Sequence, residues 1–326
     1  MRLGRILAAP TASRHLGGVH YGQWASTALA FGAAGVHDTG VPSGKAILTR
    51  IVLGAVLTAG VAGLLFLDWR LVMPLSDKKG FVITGLLILL GTIGFLEIAK
   101  LARAAGPGVL TGSGLAGALL VGTMPFWLQF LPSLYLDDLW AVVGLIVAAV
   151  FLEQMVRFRI EGAISRIGVT LLAVLYLGTG SAIILTIRLS PELGVPALVL
   201  FLAAVKCTDV GAYFTGVLLG RHKLIRWLSP GKTWEGLIGG LAFGAAAAVL
   251  VVWLLEIEMG LGAAVVFGAA VGLAGQFADL CESLLKRSAG VKDSSGLLPA
   301  FGGVLDVLDS PLLAAPVAYV LLSLMV

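Results

Sequence analysis

The sequence predicts an all-α, polytopic integral membrane protein, on three observations. Of its 326 residues, 59% are hydrophobic and only 12% charged, against roughly 25% charged in a soluble domain. The mean hydropathy is +1.02. Several apolar runs reach the length of about 20 residues that a helix needs to cross the hydrocarbon core. The N-terminus does not read as a secretory signal, because Arg2 and Arg5 are followed only by the short stretch ILAAPTAS.

Residues 1–47 are mixed in character, and their histidines show no metal-ligand spacing. They are expected to form a cytoplasmic or interfacial extension, with residues 48–326 forming the transmembrane domain. Hydropathy places about nine spans, at 51–67, 81–99, 113–131, 139–156, 167–187, 195–217, 235–255, 261–280 and 311–326. Basic residues gather in alternate connections: Arg157, Arg159 and Arg166; then Arg221, Lys223, Arg226 and Lys232; then Lys286, Arg287 and Lys292. The connections between carry Asp137 and Asp138, or Glu256 and Glu258. Positive residues mark the cytoplasmic side, so the N-terminus is expected inside and the C-terminus outside a cytoplasmic (inner) membrane. The net charge of +4 then reflects these loops, and no nucleic-acid partner is expected. Cys207 and Cys281 read as small buried thiols. Gly239, Gly240 and Gly244 suit close helix packing.

Ionisable groups inside or beside a membrane are costly and mark function by default. Glu97 and Glu153 near span ends are the notable ones in the first half; either suits snorkelling or capping. Lys206, Asp209 and Tyr213 are spaced i, i+3, i+7 on one helix face, which suits either a polar cavity wall or a packing ion pair. The loop SPGKTWEG (229–236) lacks the glycine spacing of a Walker A loop. Lys232 and Thr233 there suit phosphate at a helix N-terminus, and Thr233 with Glu235 equally suits a simple cap. Asp279, Glu282, Ser283 and Lys286 form a polar stripe, and Asp306 and Asp309 follow at the entrance to the last span. Acids from two segments among several lysines suit a hard cation combined with phosphate, since Mg²⁺ takes one or two carboxylates plus substrate phosphates.

The string Ser283-x-x-Lys286-Arg287-x4-Lys292-Asp293-x-Ser295-x2-Leu298-Pro299-x-Phe301-Gly302-Gly303-x-x-Asp306-x-x-Asp309 resembles the signature of the phosphatidate cytidylyltransferases, the CDP-diacylglycerol synthases. Asp209-x-x-Ala212-Tyr213-x-x-Gly216, the 229–236 loop, Gly239-Gly240 and Glu97 are similar to that family too, so the likeness covers roughly residues 50–326. Two positions depart from it: Phe301 stands where the family usually has His, and Val307 where it usually has Arg.

The resemblance implies that CTP and phosphatidic acid give CDP-diacylglycerol and pyrophosphate in phospholipid biosynthesis, at a site facing the cytoplasm. It implies catalytic roles for Asp279, Asp306, Lys292 and Asp293, and Mg²⁺ held by Asp279 and Asp306 with Asp309 beside them. Substrate contacts are expected from Lys206, Asp209, Lys232, Thr233, Glu235, Ser283, Lys286 and Arg287. A monovalent cation beside Mg²⁺ and a homodimer are compatible with the resemblance. Competing readings are a CTP-dependent lipid-alcohol kinase of the phytol or dolichol type, a transporter, and a catalytically silent homologue. The crowding of charge into the last third of the chain argues against the transporter.

Overall fold

The computed structural model describes residues 60, 63–64, 66–68, 80–131, 139–191, 193–297 and 302–326. All of them belong to one compact unit, Arg50–Val326; the expected extension at 1–47 lies outside the described residues. The elements in order are α1 (Phe81–Ala105), α2 (Thr111–Trp127), α3 (Leu139–Arg157), α4 (Ala163–Leu189) and α5 (Val195–Leu219). A two-stranded antiparallel hairpin follows, β1 (Lys223–Ile225) and β2 (Ser229–Thr233). The chain ends with α6 (Trp234–Leu254), α7 (Leu261–Ser288) and α8 (Leu305–Met325).

The protein is a polytopic helical membrane protein. Among the described residues, seven helices are long and apolar enough to cross a membrane, against the expected nine. The expected span at 113–131 is α2, whose 17 residues rise about 26 Å, short of the hydrocarbon thickness of about 30 Å. The expected span at 51–67 falls almost wholly outside the described residues. Residues 229–233, read from sequence as loop, instead pair with β1 as a strand.

One end of the bundle collects the last turns of α1, α3, α5 and α7 and the first turns of α2, α4, α6 and α8. Local bonds fix each neighbour there. Glu153 on α3 caps α2, accepting the Ser113 N–H at 2.6 Å, which is the capping alternative for that residue. Arg166 at the start of α4 donates to the Pro107 carbonyl at 3.3 Å. Glu235 accepts the Arg221 and His222 N–H groups, tying α6 to the end of α5. Aromatic Phe95, Phe201 and Phe267 fill the interior and are fully buried.

The helices nearest the polar residues pack on glycine, as expected for Gly239, Gly240 and Gly244. A Cβ on Gly244 would lie 2.1 Å from Thr208 Oγ1, and one on Gly272 would lie 2.3 Å from the same atom. Thr208 on α5 therefore sits against both α6 and α7 at a distance that only glycine permits. This close approach brings the polar faces of α5 and α7 within reach of each other.

Candidate active site

The polar residues form one connected system at the crowded end of the bundle. Lys206 Nζ donates to the Val307 carbonyl at 3.1 Å and lies 3.5 Å from Asp209. Asp209 Oδ1 accepts from Gln276 Nε2 at 3.0 Å. Lys232, delivered by β2, donates to Gln276 Oε1 at 2.9 Å and meets Asp279 Oδ2 at 2.6 Å. α5, the hairpin, α7 and α8 are thus laced together by alternating donors and acceptors.

Beside this chain of contacts lies an acidic centre. One carboxylate oxygen from each of Asp279, Glu282 and Asp309 falls within 4.8 Å of the others. Glu282 and Asp309 are buried and Asp279 is half-buried. Glu282 Oε2 accepts from Lys286 at 2.8 Å, whereas its Oε1 is buried without a hydrogen-bond partner. Three carboxylates at this spacing repel one another, and an unsatisfied buried oxygen needs a partner. Oxygen donors converging from two helices fit a hard divalent cation that keeps positions for substrate phosphates.

Asp306 stands apart from that trio. Its Oδ1 meets Lys286 Nζ at 2.5 Å. Its Oδ2 accepts the Gly303 N–H at 2.6 Å, the Ser294 N–H at 3.2 Å and lies 2.7 Å from Ser294 Oγ. Both oxygens are therefore engaged, the first by Lys286 of α7 and the second by the connection that leads into α8. Gly302 turns that chain at φ 94°, a left-handed conformation natural to glycine.

Glu97 holds the same connection from the other side. It is 1% exposed and accepts the Val304 and Leu305 N–H groups at 3.1 and 2.7 Å, with Ser295 Oγ at 2.5 Å and Ser294 Oγ at 3.2 Å. It caps α8, where the first backbone N–H groups have no partner within the helix and negative charge is favoured.

Of the other expected site residues, Thr233 caps α6, accepting the Gly236 N–H at 3.1 Å. Glu235 meets His222 Nδ1 at 2.6 Å and faces the hairpin. Ser283 is half-buried on α7, Arg287 is exposed in its last turn, and Lys292 and Asp293 are exposed beyond its end. Phe301 lies outside the described residues. Val307 gives its backbone carbonyl to Lys206. Both cysteines are free and half-buried.

Gln276 was not anticipated. Its signal was present: an amide three residues before Asp279, on the same face of an otherwise apolar helix. Ser294 was not anticipated either, because its place between Glu97 and Asp306 depends on contacts across almost the whole chain.

Residues 48–325 match a model of the Cytidylyltransferase family. The chain is similar to the phosphatidate cytidylyltransferase of Bacillus subtilis (strain 168), 29% identical over 274 residues that cover 82% of this chain and 97% of that protein. The phosphatidate cytidylyltransferase of Staphylococcus saprophyticus is 30% identical over 271 residues, with coverage of 82% and 97%. That of Brucella suis biovar 1 (strain 1330) is 40% identical over 144 residues, which are 44% of this chain and 53% of that protein.

Proposed function

The chain belongs to the cytidylyltransferase family, and from that premise we propose that it transfers CMP from CTP to phosphatidic acid, forming CDP-diacylglycerol. An oxygen of the phosphatidate phosphate attacks the α-phosphorus of CTP, the bond from that phosphorus to the β-phosphate bridging oxygen breaks, and pyrophosphate leaves. The attacking oxygen is already anionic at neutral pH, so no general base is required. Protein groups contribute mainly position and charge stabilisation to such transfers. The relatives' shared name favours cytidylyl transfer over γ-phosphate transfer to a lipid alcohol.

The observation that carries this reading is the trio of carboxylates, one of which keeps an unpartnered buried oxygen, with Lys232 paired to Asp279 and Lys286 to Glu282. We assign Asp279, Glu282 and Asp309 as the residues that would hold Mg²⁺. When bound, the ion supplies positive charge to phosphate oxygens. Lys232 meets the triphosphate from the hairpin side, and Lys286, anchored between Glu282 and Asp306, meets phosphate from α7. Lys206 and Asp209 form the deeper wall. Asp306 acts by holding Lys286 and the 294–303 connection in register. Arg287 and Lys292 draw anions to the exposed rim. The alternation of basic loops favours this end facing the cytoplasm, where CTP arrives, and the lipid enters from the bilayer.

The test uses purified protein with phosphatidic acid, Mg²⁺ and CTP labelled at the α- or the γ-phosphate. Metal-dependent appearance of the α-label alone in lipid supports the reading. γ-Label entering a lipid alcohol, or no lipid label at all, sinks it.

A further inference from the structure

Between α1, α4 and α7 lies a second feature, a cavity of about 140 Å³ lined by Ile98, Ala102, Pro107, Val169, Tyr176 and Leu285 among others. Its lining is mostly apolar, and Ala105 and Leu172 on it are exposed. In a membrane protein, exposed apolar residues on a helix flank face lipid. Leu285 is the neighbour of Lys286 on α7, so the cavity and the acidic centre share a helix at adjoining positions.

Tyr176 joins the two. It lines the cavity, and its hydroxyl is buried with no hydrogen-bond partner. The segment 174–179 that carries it packs against α8, the helix of Asp309. Buried hydroxyls are normally hydrogen-bonded, so an unpaired one between an apolar cavity and a polar centre has the character of a donor awaiting a ligand. The local backbone is unusual at this point: Val174–Thr179 of α4 is π-helical. Such segments put an additional residue into a turn, re-aim the side chains that follow, and occur often at functional sites.

We infer that this cavity receives the glycerol-proximal stretch of one fatty acyl chain of the phosphatidate acceptor, and that Tyr176 donates its O–H to a phosphate oxygen of the same lipid. The inference rests on the reading of phosphatidate as acceptor. It gives a lipid with one apolar and one anionic end a bipartite site: hydrocarbon between α1 and α4, phosphate toward Lys286. The remainder of the acyl chains stays in the bilayer, because the cavity is too small for two complete chains.

The experiment has two arms on the full-length protein in lipid nanodiscs. In the first, the unsubstituted protein is photolabelled with phosphatidate carrying a diazirine near the carboxyl end of one acyl chain, and labelled peptides are mapped. Label is expected on the α1 stretch through Ala102 and the α4 stretch through Val169 and Tyr176, and excess unlabelled phosphatidate, but not phosphatidylcholine of the same chains, removes it. Label elsewhere, or equal competition by phosphatidylcholine, overturns the cavity assignment. In the second arm, Tyr176→Phe raises KM for dioleoyl phosphatidate about tenfold, as expected for one lost hydrogen bond, while KM for CTP is unchanged. Equal changes in both constants, or none, overturn the role of the hydroxyl. Photolabelling is read independently of turnover, so a protein that transfers no α-label fails the cytidylyl reading alone.

Discussion

Lys232 Nζ lies 2.6 Å from Asp279 Oδ2, an ion pair that joins a β-hairpin to the middle of a polar helix face. The lysine is 16% exposed and the aspartate 37%, so the pair sits at the boundary between the bundle interior and the open end. A lysine that neutralises a carboxylate here is placed to exchange that partner for a phosphate.

Lys232→Met is therefore expected to lower kcat/KM for CTP by about a hundredfold, the scale of removing one charge-stabilising donor. KM for the lipid should move little. Steady-state kinetics with each substrate varied separately checks this, and a larger effect on the lipid would reassign Lys232 to the acceptor side.

Glu282→Gln keeps an acceptor for Lys286 and removes one negative charge from the carboxylate trio. The apparent affinity for Mg²⁺ should fall at least about tenfold. Titrating Mg²⁺ against turnover and against the thermal midpoint reads the same constant in two ways; an unshifted titration would remove Glu282 from the cation site.

Glu97→Ala strips three donors, the Ser295 hydroxyl and the Val304 and Leu305 N–H groups, of their acceptor at the start of α8. Each buried group left unsatisfied costs about 1–3 kcal/mol, so a thermal midpoint many degrees lower is expected, with turnover lost in parallel. Glu97→Gln should recover part of both. If Glu97→Ala melted like the unsubstituted protein, the cap would be energetically idle.

How far was this legible in the sequence? Apolar length alone located most of the helices, because spanning the bilayer constrains composition strongly. The acidic and basic residues of the centre were also visible, since charge in such a chain is rare. What spacing left unresolved was the division of labour. The family likeness puts Asp306 ahead of Asp309 at the cation, yet donors from Lys286, Ser294 and Gly303 occupy Asp306, while Asp309 joins Asp279 and Glu282. Glu97 stands 208 residues before Leu305, a separation at which no local pattern reports contact. Gln276 was readable but overshadowed by the charged residues beside it.

Gly244→Ala tests the glycine contact. Its methyl would meet Thr208 Oγ1 at 2.1 Å, so α5 and α6 must separate, at a cost of about 1–3 kcal/mol. Thr208→Ala in the same chain should restore part of the loss, a coupling that a double-mutant cycle measures directly. Strict additivity would show that the two residues do not share the contact.

The bonds of Glu97 also order the making of the protein. The residue lies on the first fully described helix, and its partners arrive only with the connection into the last one. Asp309, the third carboxylate, comes on that last helix as well. A nascent chain halted after α7 thus holds two acids of the trio, with no clamp on Lys286 from Asp306. Until α8 is in place the carboxylate trio lacks its third member and Glu97 lacks the N–H groups of Val304 and Leu305, so one helix completes both the acidic centre and the clamp that holds it.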